Sequence, residues 1–107
     1  MTNYELYCAI FLAFDADWDE THNEGLREYL SDANPFLFEG ENSADPAIYA
    51  EFCKFMSEYK LTVENSFEIA QKYVEHLQNA DLKESFDLLE EEQWYEVLPQ
   101  LLEEMRK

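Results

Sequence analysis

The sequence predicts an all-α fold, a compact single-domain bundle of five or six helices spanning residues 1–107. Three observations predict it. The chain has only Gly 2 and Pro 3, too few turn residues for a small all-β protein. Apolar residues recur in steps of three and four along most of its length, the period of a helix face. Hydrophobic residues make up 47% of the chain and aromatic ones 16%, enough to fill one core and unlike disordered acidic chains, which are poor in aromatics.

The elements follow in order. Thr2 and Glu5 have capping-box spacing, so a first helix is expected from about Asn3 to about Asp15–Trp18. Its apolar residues (Tyr4, Leu6, Tyr7, Cys8, Ile10, Phe11 and Phe14) cover most of the circumference, as in a central buried helix. A second helix is expected from His22 to Ala33, with Leu26, Tyr29 and Leu30 inward and Gly25 weakening it by roughly 1 kcal/mol relative to alanine. Pro35 ends it at Asn34, and "NPFLFEGENSA" is read as a loop. Asp45-Pro46 is an N-cap followed by proline at the first helical position, opening a helix to about Tyr59. "KLTVEN" turns the chain, with Thr62 as cap of a helix whose seam is Val63, Phe67, Ala70, Val74 and Leu77, ending at Asn79 or Ala80. Asp81 and Glu84 have the capping-box spacing for the next helix. The last segment carries Trp94, Leu98, Leu101 and Met105, with a kink or break expected at Pro99.

Charge is the outlying property. Asp+Glu total 25 against Lys+Arg 7, a formal net charge of -18. Such a charge opposes compaction by self-repulsion, disfavours direct contact with nucleic acid or anionic lipid, and favours a basic protein partner. Read blandly, it is a solubility device. Cys8 and Cys53 each sit in an apolar run and are read as buried free thiols of a reducing cytoplasm. The apolar run Tyr7–Phe14 has no basic region before it and is too short to span a membrane, so a cytoplasmic location without membrane contact is expected.

The stretch "DADWDETHNEGL", residues 15 to 26, is the nearest the chain comes to a metal motif. Asp15, Asp17 and Asp19 match the first three ligands of an EF-hand loop. Glu20 stands where the loop needs glycine, His22 where an apolar residue packs, and Leu26 where a closing glutamate belongs. Asp15, Asp17, Asp19 and His22 are therefore weak metal candidates, and the stretch is read as a helix end and the cap of the next helix. His76 is alone and belongs to no ligand pattern. No nucleophile motif occurs, and no cofactor is expected.

Two functional readings come from different classes. The first is a non-enzymatic acidic protein that binds a basic protein partner, as an inhibitor, an immunity or antidote protein, or a nucleic-acid mimic. Its candidate contact is the loop, where Phe36 and Phe38 with Glu39 and Glu41 form an aromatic anchor inside an acidic interface, unless the aromatics fold back as a plug on the bundle. The alternative is a metal-dependent nucleotide hydrolase of helical-bundle type using carboxylates, for which Glu84 and Asp87 have the E-x-x-D spacing. No second acidic pair completes that set, and few cations are present to hold phosphate. An enzyme would gather its acids inward around a cavity; a mimic would spread them outward.

Overall fold

At the amino end the Thr2 side chain accepts the Glu5 N–H at 3.1 Å, while Glu5 Oε1 accepts the Thr2 N–H at 2.8 Å. That reciprocal cap starts α1 (Asn3–Thr21) in the computed structural model, which describes residues 1–37 and 40–107. Among these residues there are six α-helices, a short 3-10 turn and no strand. The radius of gyration is 12.9 Å, the size of about one 100-residue domain. Among the described residues no helix is long and apolar enough to cross a membrane.

Helix α1 is the hub: it packs against α2 (Arg27–Asp32), α3 (Pro46–Met56), α4 (Ser66–His76), α5 (Ala80–Asp87) and α6 (Glu91–Met105). It buries the continuous run from Glu5 to Phe11 as well as Phe14. Much of the core around it is aromatic. Phe52 meets Tyr7 and Tyr73 with ring centroids 5.2 and 4.8 Å away, and Phe14 meets Tyr29 at 5.0 Å. Phe67, Phe86 and Trp94 pack as a second group that joins α4, α5 and α6.

Several boundaries differ from the sequence reading, each for a local reason. The first helix does not stop at Asp15–Trp18 but runs to Thr21, where His22 adopts the left-handed conformation (φ 52) and donates its N–H to the Trp18 carbonyl at 2.8 Å. His22 therefore closes α1 rather than opening the next helix. Asn23 caps the 3-10 turn Glu24–Leu26 through the Gly25 N–H, and only then does α2 begin. Asp45 caps α3 as read, accepting the Ala47 N–H at 3.1 Å, but α3 ends at Met56. Thr62 and Asn65 exchange hydrogen bonds one turn ahead of α4, which stops at His76.

Asn79, not Asp81, caps α5, its Oδ1 accepting from both Asp81 and Leu82. The asparagine is already in place beside the first free amides, so Asp81 becomes a first-turn acid instead. Helix α6 continues through Pro99 without a break, and its buried stripe takes in Leu102 beside Trp94 and Leu98. Pro99 is on an exposed side of the helix, and its missing N–H leaves the Tyr95 carbonyl without its helical donor.

The one long connection is pinned at both ends. Ala44 N–H donates to the Asn34 carbonyl at 3.0 Å and Asp45 N–H to the Asp32 carbonyl at 2.7 Å. Ser43, fully buried, links onward to Asp45 and Tyr49.

Candidate functional site

The three aspartates of the opening stretch lie within α1, where residues two apart point about 200° from one another. Asp15 and Asp19 therefore share a face that Asp17 does not. Asp17 turns toward α5, where the Ser85 hydroxyl donates to its Oδ2 at 2.6 Å. His22 lies past the end of the helix with its ring 5.5 Å from that of Trp18. The helix thus separates the four residues that the sequence pattern had grouped. Among the described residues, no three His, Cys, Asp or Glu side chains come together in a way that could hold a metal ion.

In the long connection Pro35 is fully buried, as Ser43 is, and the Pro35 carbonyl accepts the Tyr4 hydroxyl at 3.3 Å. Phe36 lays its ring edge on Phe11 at 5.8 Å and remains 51% exposed. Leu37 is also exposed. Glu41 is exposed and accepts the Tyr49 hydroxyl at 3.4 Å. Phe38 and Glu39 lie outside the described residues. The apolar cover that the loop lends to the bundle thus comes from Pro35 first, with Phe36 half engaged.

Beneath this connection, burial pushes the Tyr4 phenol up to about 12 and the Cys8 thiol up to about 11. At neutral pH that thiol stays protonated, and, fully buried, it is a packing residue rather than a nucleophile. Cys53 is also a free thiol, and it is half-buried rather than buried. On α5, Glu84 and Asp87 are both exposed, and Asp87 pairs with Lys83 at 3.3 Å. His76 is exposed, its ring 5.0 Å from Phe55.

The structure adds a feature that the sequence reading missed: an open groove of about 570 Å³ between α1, α5 and α6. Its α1 side carries Ala9, Leu12, Ala13 and Ala16, then Asp17 and Glu20. Leu88 and Leu89 close it after α5, and Trp94, Val97 and Leu101 line it from α6. Leu88 and Val97 are 67% and 52% exposed. Their signal in the sequence was weak but present. Val97 is an aliphatic residue off the inward stripe of α6, Leu88 follows the end of α5, and the small residues on α1 fall at helical spacing.

The carboxylates are disposed outward. Glu5 is the only Asp or Glu buried among the described residues, and four carboxylates are paired with a basic side chain there. On α6 the exposed Glu92, Glu96 and Glu103 fall within one narrow sector of the helix, well away from the buried stripe of Trp94, Leu98 and Leu102. Compared with known protein families, characterised proteins and solved structures, the chain matches none.

Proposed function

We propose that this chain is a non-enzymatic, cytoplasmic binding protein whose acidic surface captures a basic protein partner, as an inhibitor, an immunity or antidote protein, or a nucleic-acid mimic does. The observation that carries the reading is the excess of exposed, unneutralised carboxylate. Of the 25 acids only Glu5 is buried among the described residues, and the chain has seven basic side chains to set against them. Four of those seven (Arg27, Lys72, Lys83 and Arg106) are engaged in pairs within the chain. A surface of this kind accelerates encounter with a cationic partner and repels polyanions. The hydrolase reading gains no support from the arrangement, because Glu84 and Asp87 stand exposed on α5 and do not line the groove.

The test is capture from a lysate of the native cell on the immobilised protein, with elution by salt and identification of the eluted proteins. The expected eluate is rich in Lys and Arg, and it is lost when Glu92→Lys, Glu96→Lys and Glu103→Lys are combined. An eluate no more basic than the lysate would overturn the reading. So would magnesium-dependent nucleotide hydrolysis that Glu84→Gln abolishes.

A further inference from the structure

The groove between α1, α5 and α6 has the dimensions and chemistry of a helix seat. Ala9, Ala13 and Ala16 follow one another on α1 at steps of four and three, so this wall, Leu12 apart, offers small side chains that permit close approach of another backbone. From Ala9 to Glu20 the α1 side extends about 17 Å at 1.5 Å per residue, the length of three helical turns. Leu88 and Val97 border it as exposed aliphatics, a placement that leaves apolar surface in water unless something covers it.

The charge at one end says what kind of helix fits. Asp17 and Glu20 line the groove where α1 nears its end, and the Ser85 hydroxyl holds the Asp17 carboxylate in place at 2.6 Å. A second copy of this chain would bring a further net charge of -18 to the same surface, so self-association through the groove is opposed. A cationic partner is favoured.

We infer that this groove binds an amphipathic helix of a basic partner protein, with aliphatic side chains over Ala13, Ala16, Val97 and Leu88 and a lysine or arginine against Asp17 and Glu20. The inference rests on the proposed capture of a basic protein and gives that capture a docking site. Recognition is of the helix-in-groove type: the apolar face supplies affinity and the charged end sets direction.

The experiment uses two synthetic 18-residue peptides of identical Leu, Ala and Lys composition. One places its leucines at helical spacing; in the other the order is scrambled. Binding is followed by titration calorimetry and by the emission of the tryptophans, since Trp94 lines the groove. The patterned peptide is expected to bind at least tenfold more tightly than the scrambled one. Val97→Asp with Leu88→Asp should remove that preference, although these changes add negative charge and would strengthen a purely electrostatic attachment. Ala16→Leu, which fills the groove without changing charge, should weaken the patterned peptide at least tenfold and serves if the aspartate variant fails to fold.

Equal, salt-sensitive binding of both peptides overturns the groove and leaves the acidic-surface reading standing. No binding of either peptide at low salt overturns both. A concentration-dependent dimer of the protein alone that Val97→Asp dissociates would make a second copy the occupant and overturn the inference.

Discussion

Arg106 holds the buried carboxylate of Glu5 with two donors, Nε to Oε2 at 2.7 Å and Nη2 to Oε1 at 3.1 Å, tying the end of α6 to the first turn of α1. Glu5 therefore serves twice, since it also caps its own helix through the Thr2 N–H. The Arg106 guanidinium holds the Glu5 carboxyl below the usual carboxylate range, against the opposing effect of burial. A carboxyl whose folded pKa is depressed adds stability that is present above its unfolded value, about 4.3, and is lost as pH falls through the folded value. The stability advantage of the wild type over Glu5→Gln is thus expected to be full at pH 6–7, about neutral, and to shrink steadily below about pH 4.5. Urea unfolding of both proteins across that range measures it, and an advantage constant with pH would contradict the assignment. Comparing the two proteins removes the opposite trend that protonating the other carboxylates brings by relieving repulsion.

A second link lies in the core. The Trp94 indole N–H donates to Ser66 Oγ at 2.9 Å, and that hydroxyl donates to the Val63 carbonyl at 2.7 Å. Ser66→Ala leaves an indole N–H without an acceptor in the core and is expected to cost about 1–3 kcal/mol. Ser66→Thr keeps the hydroxyl but adds a methyl where no surface is exposed, so it should cost less only if α4 can shift. Chemical denaturation of the two variants orders the terms.

Among the described residues two other than glycine hold positive φ, His22 at 52° and Gln78 at 53°. Gln78 is exposed, so Gln78→Gly should stabilise by about 0.5–1 kcal/mol, the left-handed strain relieved exceeding the entropy that glycine adds to the unfolded chain. His22→Gly relieves similar strain but gives up the ring contact with Trp18 and should gain less. A thermal melt in which Gln78→Gly falls below wild type would count against this account of the α4–α5 corner.

How much was legible in the sequence depended on whether the cause was local. The Thr2–Glu5 cap, the Asp45-Pro46 start and the inward placing of Phe67, Ala70, Val74, Trp94 and Leu98 all arise from neighbours a few residues apart, and they were read correctly, whereas α6 buries Leu102 rather than Leu101. The end of α1 was not, because the acids from Asp15 to Glu20 read as solvent-facing punctuation while the helix beneath them continued to His22. The Asp17–Ser85 contact joins residues 68 apart and leaves no periodic trace, and of the groove only the helical spacing of its α1 alanines could be read.

Gly25 shows the same limit. It reads as a weak point in a helix, yet a Cβ there would meet Asp81 Cγ and Cβ at 2.4 and 2.6 Å, so glycine is what lets the 3-10 turn approach α5. Gly25→Ala, favourable by helix propensity, is expected to destabilise by about 1–3 kcal/mol. Asp81→Gly in the same chain should recover part of that loss. Additive costs in the double-mutant cycle would show that the two positions do not touch.

The final prediction concerns the loop. Phe36 has one edge on Phe11 and 51% of its surface in water, whereas Pro35 next to it is fully buried. Full burial of an aromatic side chain contributes roughly 1.5–3 kcal/mol, so Phe36→Ser should cost about 1 kcal/mol. Were Phe36 the plug of the bundle, the loss would reach the upper end of that range, about 3 kcal/mol, once the lost edge contact with Phe11 is added. Were it a pure anchor for the partner, stability would not change at all. The half-exposed geometry places it between the two, able to lend cover to the free protein and still offer a ring face to a partner. The measurement is the urea midpoint of Phe36→Ser read beside its affinity for the captured basic protein. A small fall in midpoint together with a larger loss of affinity would assign both roles to this residue; an unchanged affinity would confine it to cover.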